Sequence, residues 1–114
     1  MSVLVFVEIK NKLSKAGKEA ITYGKNLGEV NVVTYGNASR EILSEMGDYG
    51  AKNILVYRKI NEPNDQVISR FILKAVEKLN TEFIILSQDQ TGKSIGPRVA
   101  AKLEAGHVSG AISL

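Results

Sequence analysis

The stretch from Ser87 to Leu103, SQDQTGKSIGPRVAAKL, holds residue types that a nucleotide site would use. Thr91-Gly92-Lys93-Ser94 contains Gly-Lys-Ser, the close of a phosphate-binding loop. In such a loop successive backbone N–H groups surround the phosphates, the lysine reaches them and the hydroxyl meets Mg²⁺. A complete loop also needs a glycine five residues before Gly92. Ser87 stands there, and 88–91 supply no other glycine. The lysine and serine match; the cradle does not. A looser anion site is the remaining ligand reading. A helix that begins just after a strand directs free N–H groups at the carboxyl edge of the sheet, where Thr91, Lys93 and Ser94 would meet a phosphate. Capping is the simpler alternative and is favoured: Thr91 or Ser94 accepts from the helix N-terminus. Pro97 suits a cap at Ser94, because a first-turn residue needs no N–H; a cap at Thr91 makes Pro97 bend the helix.

Other candidates are thinner. A dinucleotide fold places Gly-x-Gly-x-x-Gly at its first strand-to-helix turn. This chain has Lys10-Asn11-Lys12-Leu13-Ser14 there, without glycine. Tyr35-Gly36-Asn37-Ala38-Ser39 lies at the next carboxyl edge, where Gly36 permits a turn and Ser39 suits a cap; turn chemistry outweighs a nucleotide contact. His107 is the lone histidine, and it makes neither a zinc site nor a triad by itself. Glu8, Asp48, Asp65 and Asp89 all fall near expected loop ends, at spacings that define no carboxylate pair, so they read as solvated or capping. No catalytic, cofactor-binding or metal residue is expected.

The elements that position these residues alternate along the chain. Short aliphatic runs at Ser2–Ile9, Val30–Tyr35, Asn53–Tyr57 and Phe83–Ser87 are nearly continuous rather than alternating, the pattern of strands buried on both faces. Between them lie helix-period segments: Ser14–Leu27, capped by Ser14 and ended by Gly28; Ser39–Met46; Asp65–Leu79, approached through Pro63 and capped by Asn64 or Asp65; and Thr91–Ala105. Strand–helix alternation predicts an α/β three-layer sandwich with right-handed crossovers and a mostly parallel five-stranded sheet. The fifth strand is expected over Val108–Leu114, where Gly110 interrupts. The apolar end Ala111-Ile112-Ser113-Leu114 suits a final buried strand or a cut inside a longer chain.

Composition narrows the classes. The 114 residues suffice for one domain, 44% apolar and 24% charged. A net charge of +3 is too mild to imply nucleic acid. The early cluster Lys10, Lys12, Lys15, Lys18 and Lys25 has no interleaved aromatics and reads as a solvated edge. No cysteine is present, which excludes disulfides, thiolate metal sites and a cysteine nucleophile. Apolar runs fall far short of a membrane span, and no signal-type start is visible. The expected address is cytoplasmic.

Four segments, in order and spacing, carry a resemblance. They are Ser2-Val3-Leu4-Val5-Phe6-Val7-Glu8; Ala20-Ile21-Thr22-Tyr23-Gly24 with Leu27-Gly28; Tyr49-Gly50-Ala51-Lys52; and above all Thr91-Gly92-Lys93 with Pro97-Arg98, Ala100 and Leu103. Over essentially all 114 residues the chain resembles the N-terminal domain of the electron transfer flavoprotein alpha (large) subunit. The resemblance implies an adenine-nucleotide hydrolase-like, Rossmann-like fold with strand order 3-2-1-4-5. It implies that 1–114 form an N-terminal scaffold and subunit-contact domain, and that a second domain beyond Leu114 binds FAD, so FAD is not expected on this chain. A beta subunit would complete the heterodimer and bind AMP. The whole would carry electrons from flavin dehydrogenases, such as acyl-CoA dehydrogenases, to a membrane quinone reductase. No FAD ligand is carried over to any residue here. A severed domain would also expose an apolar patch and self-associate through it. The competing reading is a free-standing nucleotide-binding module of the stress-protein type; a small hydrolase ranks last, since no nucleophile–base pair is visible.

Overall fold

Strands and helices alternate for most of the chain. The computed structural model describes residues 2–9, 11–58, 64–87, 90–103, 106–108 and 111–113. The order is β1 (Ser2–Phe6), α1 (Lys15–Leu27), β2 (Glu29–Tyr35), α2 (Arg40–Asp48), β3 (Ala51–Tyr57), α3 (Asp65–Leu79), β4 (Phe83–Leu86), α4 (Gln90–Leu103), β5 (Gly106–Val108) and β6 (Ala111–Ser113). β1 pairs in parallel with β2 on one side and β4 on the other, and β3 extends the parallel run beyond β2.

β1 is the spine because it feeds two cores. Leu4 and Phe6 point to one face and meet Ile68, Phe71 and Ile72 of α3 and Ile95 and Val99 of α4. Val3, Val5 and Val7 point to the other and meet Ile21 of α1 and Met46 of α2. Successive side chains of a strand face opposite ways, so a strand with helices on both faces must be apolar at every position. Val3 through Val7 are all fully buried. Burying one such side chain contributes about 1.5–3 kcal/mol.

Local chemistry sets the helix starts. Ser14 Oγ accepts from Gly17 N at 3.0 Å, Ser39 Oγ from Ile42 N at 3.2 Å, and Asn64 Oδ1 from Val67 N at 2.9 Å. Each satisfies a first-turn donor that the helix leaves open. The cap of α3 is therefore Asn64, with Asp65 as its first helical residue. Gly28 ends α1, its N–H donating to Gly24 O at 3.0 Å. Pro63, expected to fix the approach to α3, lies outside the described residues. α1 and α2 are joined at the surface: Lys18 Nζ reaches Glu45 Oε1 at 3.2 Å and stands 5.7 Å over the Tyr49 ring. The hydrogen bond to Glu45, and then the charge of Tyr49, hold the Lys18 ammonium above the ordinary lysine range.

The sheet differs from the expected one. It has six strands in the order β3-β2-β1-β4-β6-β5, not five in the order 3-2-1-4-5. Four strands are parallel; β6 pairs antiparallel with β4, Ile84 opposite Ile112, and β5 pairs antiparallel with β6. The single fifth strand expected over Val108–Leu114 is thus two short strands. The reason is connection length. Only 109 and 110 separate β5 from β6, and a two-residue link joins antiparallel strands, whereas a parallel neighbour needs a long crossover. Ser109-Gly110 is a turn-forming pair in sequence. The chain leaves α4 for the outer position, and its return strand lies against β4, burying Ile112 completely.

α1 lies unusually close to the sheet because it presents glycine there. A Cβ on Gly17 would come within 2.8 Å of Val7 Cγ1 and 3.0 Å of Leu13 Cδ1, both buried. Gly47 of α2 faces open space. Gly17→Ala is expected to lower stability by about 1–3 kcal/mol through overpacking. Gly47→Ala is expected to raise it by roughly 0.5–1 kcal/mol through helix propensity. Urea unfolding midpoints of the two variants should move in opposite directions; equal shifts would contradict the close approach of α1.

Candidate functional site

In a parallel sheet the strands' carboxyl ends share one edge, and ligands enter where the chain order reverses. Here β1 is followed by β2 on one side, and the chain later returns to β4 on the other. The reversal falls between β1 and β4. Glu8 leaves β1 at that point, two residues beyond Phe6 and on the face shared by Leu4 and Phe6.

The structure brings three distant residues together there. Tyr35, the last residue of β2, donates its O–H to Glu8 Oε2 at 2.5 Å. Thr91, in the first turn of α4, donates Oγ1–H to Glu8 Oε1 at 2.9 Å. Both carboxylate oxygens are engaged, and the group is half-buried. Hydrogen bonds to a carboxylate are the stronger kind; at this half-buried site each is expected to contribute about 1 kcal/mol. One turn along α4, Ser94 Oγ donates to Asp65 Oδ2 at the start of α3. The first turns of α4 are thereby fastened to β1, β2 and α3 by side chains alone.

Aromatic rings back this arrangement. Phe71 of α3 stacks on Tyr57 with centroids 4.9 Å apart and meets Tyr35 at 5.9 Å and Phe6 at 6.0 Å. The Tyr35 ring therefore sits among apolar faces while its hydroxyl reaches the edge, the usual division of a tyrosine.

The Gly-Lys-Ser segment is not a loop. α4 begins at Gln90, so Thr91 through Ser94 are already helical, and only 87–89 connect it to Leu86. Neither Thr91 nor Ser94 caps the helix, and Pro97 lies inside it. The interior proline removes the donor for the carbonyl of Lys93; Lys93 and Pro97 are both exposed, so water can serve that carbonyl. Lys93 points to solvent rather than to Glu8's pocket.

Among the described residues this edge offers no glycine-rich cradle for a flavin or nucleotide pyrophosphate. The first-turn hydroxyl is taken by a carboxylate, and Glu8 would repel a phosphate approaching α4. The connection after β1 is packed by Leu13, 2% exposed, with no glycine before Gly17. At the next edge position Gly36 takes φ +89 and donates its N–H to Tyr57 O at 3.0 Å, while Ser39 caps α2. Turn chemistry accounts for that loop. Asp89 lies outside the described residues. His107 lies on β5, its side chain outside the described residues. Asp48 is an exposed residue at the end of α2. Among the described residues no cluster of three or more His, Cys, Asp or Glu could hold a metal ion. No described helix is long and apolar enough to cross a membrane.

Comparison with known proteins adds to this geometry. Residues 3–114 match the electron transfer flavoprotein domain. The chain is similar to the electron transfer flavoprotein subunit alpha of Bacillus subtilis (strain 168), at 30% identity over 118 residues; the match covers 98% of this chain and 36% of that protein. The chain thus spans about a third of the length of the curated relative it matches.

If the Glu8 carboxylate is what holds Tyr35 and Thr91, their contributions should depend on it. Tyr35→Phe and Thr91→Val are each expected to cost about 1 kcal/mol in the wild-type chain and close to nothing in a Glu8→Ala background. Double-mutant cycles by urea unfolding read this directly. Equal costs in both backgrounds would mean that the hydroxyls act through other groups.

Proposed function

We propose, from the premise that this chain belongs to the electron transfer flavoprotein domain family, that it is the N-terminal scaffold and subunit-contact domain of an alpha subunit. The remainder of such a subunit would hold the FAD. The observation that carries this reading is the family match across residues 3–114, nearly the whole chain. Two features support it. The carboxyl edge of the sheet is occupied by a hydrogen-bonded carboxylate, which suits a platform better than a phosphate pocket. Among the described residues the exposed large hydrophobic side chains, Tyr23 and Leu27 on α1 and Tyr49 at the end of α2, lie on the α1–α2 side.

In this reading the complete protein pairs with a beta subunit, which would bind AMP. The heterodimer carries electrons from flavin dehydrogenases, such as acyl-CoA dehydrogenases, to a membrane quinone reductase. The chain itself supplies no reacting group. Its work is to hold the sheet rigid and to present α1 and α2 to the partner. Its address would be cytoplasmic. Without its partners, the same α1–α2 side is where the chain would self-associate.

Tyr23 and Leu27 stand four apart on α1 and so share a face. Buried aromatic and aliphatic anchors dominate interface energies, at about 2 kcal/mol or more each for the strongest. Tyr23→Ser/Leu27→Ser in the complete alpha subunit is expected to weaken copurification with the beta subunit, while leaving the urea midpoint of the chain nearly unchanged. An undiminished heterodimer would contradict the assignment of this side as the contact.

A further inference from the structure

Positive charge is unevenly divided between the described helices. On the α1–α2 layer, Lys15, Lys18, Lys25 and Arg40 are matched by Glu19, Glu41, Glu45 and Asp48, four against four. Two ion pairs form there, Lys15–Glu19 at 4.0 Å and Lys18–Glu45 at 3.2 Å. On the α3–α4 layer the exposed cations are Arg70, Lys74, Lys78, Lys93, Arg98 and Lys102. Among the described residues of α3 and α4 the carboxylates are Glu77, exposed, and Asp65, which accepts from Ser94 at the start of α3; exposed Glu82 follows beyond the end of α3. Among the described residues none of the six forms an ion pair.

The arrangement is ordered. Arg70, Lys74 and Lys78 follow at intervals of four along α3, and Arg98 and Lys102 do the same on α4. Residues four apart stand side by side on a helix, so like charges there repel and work against the helix. α3 and α4 pack against each other and against one core, which fixes both rows on a single rigid layer. We propose that the outer surface of α3 and α4 is a docking face for a partner protein that presents a cluster of carboxylates. This proposal is independent of the flavin reading and of the subunit contact, which uses the opposite side of the sheet.

Charge and composition favour an acidic polypeptide over other anions. A membrane-binding face adds apolar side chains that enter the lipid, yet among the described residues the exposed large hydrophobics lie on α1 and at the end of α2. Nucleic-acid faces add stacking or groove-reading side chains; α3 and α4 expose no aromatic residue. A second copy of the chain would bring two positive layers together. Charged complementary surfaces mainly speed encounter and suit transient complexes that dissociate readily.

The test uses the complete protein and fluorescently labelled poly-L-glutamate at low ionic strength. Arg70→Gln/Lys74→Gln/Arg98→Gln/Lys102→Gln is expected to slow association by roughly tenfold or more. Lys10→Gln/Lys12→Gln/Lys52→Gln/Arg58→Gln, which removes the same number of charges outside all four helices, should change it less than about twofold. Glu77→Lys should speed association, a gain that no folding defect can imitate. Salt should abolish the difference between the first two variants, because exposed charges are screened. The proposal is overturned if both quadruple variants lose alike. It is also overturned if the wild-type protein prefers vesicles of mixed phosphatidylglycerol and phosphatidylcholine, or duplex DNA, over polyglutamate at matched ionic strength.

Discussion

Everything in this structure hangs on β1 being covered from all sides. It has a strand on each edge and a helix layer on each face, and Val3 through Val7 are fully buried. A strand so placed has no solvent-facing position, so its sequence must be continuously apolar until it emerges. It emerges at Glu8. The position of the carboxylate follows from the length of the buried run, and so does its distance from water. The first side chain after Ser2 that accepts hydrogen bonds, Glu8, appears where the strand, β2 and the start of α4 converge.

α1 approaches the sheet through backbone at Gly17 and Gly24. At Gly24 a Cβ would stand 3.0 Å from Val5 and 3.2 Å from Val30. The opposite layer packs through larger groups, with Phe71 of α3 spanning the rings of Phe6, Tyr35 and Tyr57. The sheet is thus met by glycine contact on one side and by aromatic contact on the other. The aromatic side is the one whose tyrosine reaches Glu8.

Much of this was legible in the sequence. The four parallel strands announce themselves because burial on both faces forces unbroken aliphatic runs. The first three helices are readable from period and from Ser14, Ser39 and Asn64, whose side chains serve the first turn locally. What was not legible depends on distant residues. Glu8 meets Tyr35 and Thr91 across 27 and 83 positions, and a carboxylate at a strand exit reads as solvated until its neighbours are known. A signal was present: parallel strands put 8, 35 and the residues after 86 at one edge, and strand alternation puts Glu8 on the face of Phe6. The start of α4 agrees with the sequence to one residue, Gln90 against Thr91; the cap does not, because Thr91 and Ser94 lie inside the helix and turn their hydroxyls to Glu8 and Asp65. The closing hairpin was hidden by its brevity, three residues per strand, against the stronger expectation of one more crossover strand. Ser109-Gly110 was the available sign.

The proposed function treats this sheet as a platform whose carboxyl edge is occupied by Glu8, with the FAD held by the remainder of an alpha subunit. The most direct measurement is visible absorbance of the purified 114-residue chain after incubation with excess FAD and removal of the unbound cofactor. The account predicts a colourless protein with no retained flavin. A yellow protein holding one FAD per chain would contradict it.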